Sequence, residues 1–286
     1  IIKNSFELSA WIGHINFGYD LVANTRPKVI VELGTHWGVS FFSFCQAVKD
    51  CHLDSRLYAV DSWRGEEHAG IYGEKVINTV RKVQEKYFSP ARIELLRKTF
   101  DEARDDFENQ SIDLLHIDGL HTYEAVKHDL ENWLPKMKKS GIILLHDTAE
   151  KERGFGVYKL WEELSGRFGQ TIELPHCHGL GILWLDKQTR SVFQPMKLAW
   201  QAYYGLMYKK DLAADQSSSK IAEQDGQIEK LNEFLTKTNE AVTENLTVHR
   251  ELRQSEAHLR QLEAALNGIT NSKFYKLWSV YARLKS

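Results

Sequence analysis

Along residues 28 to 186 short apolar runs alternate with stretches whose apolar residues recur every three or four positions. Val29, Ile30, Val31 and Leu33 form the first run, and Leu57 to Val60, the segment RIELLRKTF, Ile112 to Ile117 and Ile142 to Leu145 form the next four. Such runs, rich in β-branched residues and leucine, predict buried strands. Between them Phe41, Phe42, Phe44 and Cys45 open one helical pattern, Val76, Ile77, Val80, Val83 and Tyr87 make a second, closed by Ser89-Pro90, and Tyr123, Val126, Leu130, Trp133 and Leu134 make a third. Ahead of the first strand, Phe6, Leu8, Trp11, Ile12, Ile15, Phe17, Tyr19 and Leu21 predict one or two helices lying over a cleft. After the fifth strand GFGVYKLWEELSGRFG reads as a helix, and TIELPHCHGLGILWL as two strands. Strands alternating with helices predict an α/β sheet flanked by helices.

From Arg190 to Lys210 an aromatic-rich stretch with Trp200, Tyr203, Tyr204 and Tyr208 predicts a helix covering apolar surface, in preference to a platform for a sugar ring. The pattern then changes. Residues 209–220 are polar and read as a linker. From Ile221 to Ile269 there is no proline, and Ile228, Leu231, Leu235, Val242, Leu252, Leu259, Leu262 and Leu266 follow in steps of three, four and seven. Residues 221–270 therefore predict a coiled coil that assembles the chain into a dimer or trimer. At ~1.5 Å per residue such a helix reaches roughly 70 Å. Residues 271–286 place Phe274, Leu277, Trp278, Tyr281 and Leu284 on one face among lysines and an arginine, as in a basic amphipathic helix that docks to an anionic membrane or to a partner protein.

Composition narrows the setting. An apolar share of 42% over 286 residues supports a full core, and a net charge of −2 gives no basic field for nucleic acid. Cys45, Cys51 and Cys177 are odd in number and show no CxxC spacing, which suits a reducing cytoplasm. No apolar run is long enough to cross a bilayer, so the expected location is cytoplasmic, at most peripheral at the inner face of the membrane. The chain begins at Ile1, as a piece of a longer protein would.

The candidate chemistry gathers at strand ends. KVIVELGTHWGVS carries Glu-x-Gly-x-x-x-Gly at the junction of a strand and a helix, where backbone N–H groups and the helix dipole face whatever fills the turn. Asp61, at the tip of the second strand, can accept hydrogen bonds from both hydroxyls of a ribose. Asp118, His121, His146 and Asp147 follow the fourth and fifth strands, and parallel strands end on one edge, so the four are expected near one another. Two carboxylates and an imidazole there would suit Mg²⁺ or another divalent cation. His121, one helical turn from Asp118, is the candidate general base, with helix capping as its alternative. His116, inside a strand, reads as structural. His176 and His178 read as flanking a cleft rather than as metal ligands, with His178 placed to touch substrate.

The glycine turn resembles the first motif of class I S-adenosylmethionine-dependent methyltransferases. Asp-Gly-x-His-x-Tyr-Glu followed by Ser-Gly-Ile-Ile-x-x-His-Asp resembles their small-molecule and sugar O-methyltransferase branch, allied to macrolide-sugar methyltransferases and cephalosporin hydroxylase-like proteins. The resemblance covers residues 28 to 186 and implies a Rossmann-like, seven-stranded sheet over residues 1–208. It implies cofactor contacts from Glu32, Gly34, Thr35, Gly38, Ser40, Asp61, Ser62, Thr99, Phe100 and Asp118. It also implies a metal held by Asp118, His146 and Asp147, although the family's first acidic residue of the last pair is histidine here. The expected activity is methylation of a hydroxyl. With a rod and a docking tail appended, the expected acceptor is a sugar of a bacterial surface polysaccharide, capped beside a glycosyltransferase or polysaccharide synthase. A small-molecule or antibiotic-tailoring acceptor is the alternative. A scaffold whose α/β domain only binds a ligand is the second.

Overall fold

The computed structural model describes residues 9–66, 70–89, 91–213 and 221–271. The tail from Phe274 to Leu284 and the early positions Phe6 and Leu8 lie outside the described residues.

Seven strands form one sheet: β1 Val29–Leu33, β2 Arg56–Val60, β3 Ile93–Leu96, β4 Ile112–Ile117, β5 Met137–His146, β6 Ile172–Leu174 and β7 Leu180–Trp184. Their spatial order is β3-β2-β1-β4-β5-β7-β6. The first five run parallel, and β7 pairs antiparallel with both β5 and β6, which makes the hairpin expected from TIELPHCHGLGILWL. This is a seven-stranded mixed sheet of the methyltransferase-like kind. Strand order reverses beside β1, and in open α/β sheets a ligand crevice opens where that happens, beyond the carboxyl ends of the strands.

Register fixes what lines that crevice. Leu33 is level with Val60 on one side and with Ile117 on the other, so Gly34, Asp61 and Asp118 emerge side by side. Ile30, Val31 and Leu33 are fully buried, as are Leu57, Val60, Leu114 and Leu115. A strand covered on both faces has no polar side, which is why the runs read as continuous rather than alternating.

The flanking helices are α1 Ile15–Thr25, α2 Val39–Asp50, α3 Glu74–Tyr87, α4 Phe100–Arg104, α5 Tyr123–Trp133, α6 Val157–Phe168, α7 Lys187–Phe193 and α8 Lys197–Ala213. The aromatic-rich stretch is thus two helices, parted at Gln194–Met196 where Pro195 begins a 3₁₀ turn. It packs as core: Trp184 stacks on Phe193 at 4.6 Å, and Phe17 meets Trp200 and Tyr204 edge-on at 5.3 and 5.2 Å. Helix α8 continues to Ala213, so residues 209–213 belong to it and not to a linker.

The chain divides into two compact units, residues 1–236 and 237–286. A continuous helix, α9 Ile221–Asn271, runs through the segment read as a coiled coil. In it Ile228 and Leu235 are buried, whereas Leu252 and Leu259 stand 53% and 55% exposed, one heptad apart. Among the described residues no helix is long and apolar enough to cross a membrane.

Candidate active site

A cavity of roughly 750 Å³ opens over the carboxyl ends of β1, β2, β4 and β5. Its near wall begins at Gly34, which has φ +90°. A side chain there would place Cβ 1.9 Å from the carbonyl oxygen of Asp118, because β1 and β4 leave the sheet in contact. Gly34 N–H bonds to Val60 O at 2.9 Å and Asp118 N–H to Leu33 O at 2.8 Å, so three strand ends are tied together at this glycine. Gly38, at φ +81°, starts α2.

Asp61 stands beside the turn, buried. Its Oδ2 accepts from His36 N–H at 2.9 Å and its Oδ1 from Trp63 N–H at 2.6 Å, and Tyr72 O–H reaches Oδ2 at 3.4 Å. Burial pushes the carboxyl pKa up, and these donors pull it back in part. His36 and Trp63 both adopt left-handed backbone, φ 48° and 49°, and Trp63 Nε1–H bonds to His36 O at 3.1 Å. The carboxylate thus organises the two loops that flank it. Farther along, Thr99 caps α4 through a capping box with Glu102. Phe100 lies where a Cβ on Gly119 would come within 2.4 Å of its ring, which forms an apolar wall.

The far end holds four ionisable side chains. His121 Nε2 is 2.9 Å from Asp147 Oδ2 and 3.5 Å from Asp118 Oδ1. His146 Nδ1 is 3.1 Å from that same Oδ2 and 3.3 Å from that same Oδ1, and its Nε2 is 3.1 Å from the Cys177 carbonyl oxygen. Thr122 caps α5, Gly156 N–H bonds to His121 O at 2.7 Å, and Phe155 stacks on the His121 ring at 4.6 Å, so that ring is fixed from three sides. Burial acts to lower the His121 pKa, but its bonds to Asp118 and Asp147 and their charges outweigh burial and raise it to about 9. Burial alone would raise Asp118 and Asp147; the His146 charge and the imidazole bonds hold both below the usual carboxylate range.

Most predicted site residues meet here. Gly34, Asp61, Ser62, Thr99, Phe100, Asp118, His121, His146, Asp147 and His178 all line the one cavity. Glu32, Thr35, Gly38 and Ser40 are not among its lining residues, contrary to the expectation that they contact a cofactor. Glu32 is fully buried, with Oε1 2.9 Å from His116 Nδ1, while Trp11 Nε1–H donates to His116 Nε2 at 3.1 Å. That donation leaves Nε2 without a proton and makes Nδ1–H the donor to Glu32. His116 is structural, as expected.

The expected metal set changes as well. The described side chains that converge as ligands are Asp118, His121 and Asp147, without His146. The two oxygens that a cation would need are bonded to both imidazoles, and this donor set does not fit Mg²⁺. Sequence reasoning missed His36, Trp63 and Tyr72 around Asp61, and Trp11, Arg153 and Phe155 around His121. Only the placement of a residue two after Asp61 hinted at Trp63. His176 bonds to Gly13 O and His178 pairs with Glu150 at 2.6 Å, so both flank the cleft as read.

Residues 31–148 match the family model described as a methyltransferase domain. The uncharacterized protein y4gI of Sinorhizobium fredii (strain NBRC 101917 / NGR234) is 40% identical over 267 residues, covering 90% of this chain. The chain spans 28% of the length of that relative. Among solved structures the chain is similar to a methyltransferase from Geobacter sulfurreducens, at 17% identity and TM-score 0.46 over 60% of this chain and 78% of that one. It is similar to the methyltransferase PaMTH1 of Podospora anserina, solved with SAH bound, at 17% identity and TM-score 0.45 over 60% and 78%. It is also similar to the O-methyltransferase TomG of Streptomyces achromogenes, involved in tomaymycin synthesis and solved with SAM, at 13% identity and TM-score 0.44 over 59% and 78%.

Proposed function

We propose, from the methyltransferase domain matched over residues 31–148, that this chain is an S-adenosylmethionine (SAM)-dependent O-methyltransferase acting on a sugar hydroxyl. The observation that carries the reading is that His121, held between Asp118 and Asp147, shares one cavity with Gly34 and Asp61. The cavity fits the cofactor by the chemistry of its walls: a buried carboxylate for ribose hydroxyls at Asp61, an apolar face at Phe100, and a side-chain-free turn at Gly34 for a closely approaching chain. Bound there, SAM would supply a sulfonium-activated methyl group, to which an acceptor oxygen bonds as sulfur keeps the electron pair.

The chain's own residues then have definite tasks. Asp61 holds the ribose, and Phe100 with Gly119 flanks the adenine. His121 Nε2, once neutral, takes the acceptor hydroxyl proton, and Asp118 and Asp147 stabilise the imidazolium that results. Phe155 keeps the imidazole in plane. At the mouth, Phe155 and Tyr208 offer aromatic faces for the C–H side of a sugar, while Glu150, Arg153 and His178 offer groups for its hydroxyls. A small hydroxylated molecule of another kind fits the same walls and is the second reading.

The exposed Leu252 and Leu259 on α9 support self-association through that helix, as a dimer or trimer. Docking of the C-terminal tail to an anionic membrane or to a polysaccharide synthase would then bring the domain to a lipid-linked glycan. Transfer of labelled methyl from SAM to a panel of saccharides and phenols tests the whole. Labelled saccharide that disappears with His121→Ala supports the reading, label on phenols alone favours the second, and no binding of S-adenosylhomocysteine (SAH) overturns both.

A further inference from the structure

We infer that His146 serves as a built-in counter-cation for Asp118 and Asp147, and that this chain transfers methyl groups without a divalent metal ion. The inference rests on the methyltransferase reading and concerns how its carboxylates are held.

The argument starts from acceptors. His146 ends β5 and is buried. Its Nδ1 faces Asp147 Oδ2 at 3.1 Å and Asp118 Oδ1 at 3.3 Å, and its Nε2 faces the Cys177 carbonyl oxygen at 3.1 Å. A carbonyl oxygen only accepts, and so does a carboxylate. A ring nitrogen that faces either must carry a hydrogen, and a ring with both nitrogens protonated is an imidazolium. Such a ring has no lone pair to give a metal. Burial lowers the pKa of this imidazole, and the two carboxylates more than reverse that, in agreement with the geometry.

The ring is also locked. Cys177 and His178 sit in left-handed backbone, φ 48° and 64°, and the His178 carbonyl is tied to Ala149 N–H at 2.7 Å, which aims the Cys177 carbonyl at Nε2. Left-handed backbone is uncommon outside glycine and persists where its surroundings enforce it. His14 meets the His146 ring edge-on at 5.7 Å, and Trp11 lies over it at 6.3 Å, so packing restrains a flip.

Position completes the case. His121 Nε2 and His146 Nδ1 address the same two oxygens, Asp118 Oδ1 and Asp147 Oδ2, from opposite sides. A divalent ion drawn to those oxygens would sit beside a fixed positive ring and compete with it for both. What a metal would do there, hold two carboxylates together and offset their charge, His146 does already. It is a positioning residue: it orients the carboxylates that act on His121.

Direct calorimetric titration of Mg²⁺ and of Mn²⁺ into the wild-type protein, followed by SAH titration in EDTA and in each metal, tests this. The expected result is no saturable cation binding below millimolar concentration and SAH affinity equal within twofold in EDTA and in metal. His146→Asp, which returns a third carboxylate, should gain Mn²⁺ binding and make SAH affinity depend on the cation. Micromolar Mn²⁺ binding by the wild type that Asp118→Asn removes would overturn the inference, whether or not His146→Asp folds. Absence of SAH binding under every condition would sink the methyltransferase reading instead, and the cation titration would still decide the role of His146.

Discussion

Asp61→Asn separates the cofactor reading from a purely structural one. The carboxylate takes two backbone N–H donors, from His36 at 2.9 Å and Trp63 at 2.6 Å, one on each oxygen. Asparagine keeps one oxygen and turns an amide N–H₂ toward the other donor. One of the two loops therefore loses its acceptor in a buried setting, which costs about 2–3 kcal/mol by the usual worth of a hydrogen bond to a charged group. For a domain of this size that is roughly 4–12 °C in Tm, at about 2–4 °C per kcal/mol. If the carboxylate also holds the ribose, a charged acceptor is lost from the ligand as well, another ~1.5–3 kcal/mol, or roughly 10- to 150-fold in Kd. Isothermal titration of SAH at 10 °C, where the variant stays folded, reads the second loss apart from the first. Asp54→Asn is the control: that carboxylate is exposed beside Arg92 and Lys28, and its loss should leave SAH affinity unchanged. If Asp61→Asn melts lower but binds SAH within threefold of wild type, Asp61 only shapes loops and the ribose assignment fails.

Gly34→Ala should be far worse than an ordinary surface change. Its Cβ would lie 1.9 Å from Asp118 O and 2.6 Å from the Asp118 carbonyl carbon, so β1 and β4 must part, on top of ~1–2 kcal/mol for the left-handed backbone. A loss of more than about 3 kcal/mol is expected in thermal unfolding, and a variant that melts with the wild type would refute the close approach. His116→Leu strands the Glu32 carboxylate and orphans Trp11 Nε1–H, an expected cost of about 3–5 kcal/mol by chemical denaturation. Adding Glu32→Gln should restore part of it by removing the buried charge; strict additivity of the two changes would refute their coupling.

The strands were legible because each is buried on both faces, and a run such as Val29 to Leu33 has no other use in a chain of this composition. The glycine turn and Asp61 were legible for a related reason: parallel strands end on one edge, so residues just past them must meet. What sequence could not give was the partner of each polar group. Glu32 sits in the cofactor motif by spacing, yet its carboxylate is taken by His116, a residue 84 positions away that only register brings opposite. His146 stands at an expected ligand position, but whether its nitrogens face lone pairs or a metal depends on the Cys177 carbonyl, set by a left-handed turn that the sequence His176-Cys177-His178-Gly179 marks only by its glycine. The hairpin at Gly65–Glu66 and Gly70–Ile71 and the short helix α4 carry too few residues for a periodic signal.

The charges around His121 imply a link between ligand binding and its protonation. Asp118 and Asp147 bring two negative charges and His146 offsets one, which leaves one for His121 to meet; hence its pKa is raised to about 9. Since the folded value lies above the ordinary 6.5, the His121 imidazolium adds stability in full below pH 6.5, and that contribution is lost as pH rises through about 9. At neutral pH it is therefore protonated and no base. A sulfonium entering the same cavity brings a positive charge that competes with that proton, so SAM should bind with release of part of a proton near pH 8, whereas SAH, with a neutral thioether, should not. Calorimetry in phosphate and in Tris, buffers of different ionisation enthalpy, measures the release, and His121→Gln should remove it. Equal proton release with both ligands would refute the link. Release confined to SAM would mean that His121 becomes a base only when the methyl donor is in place.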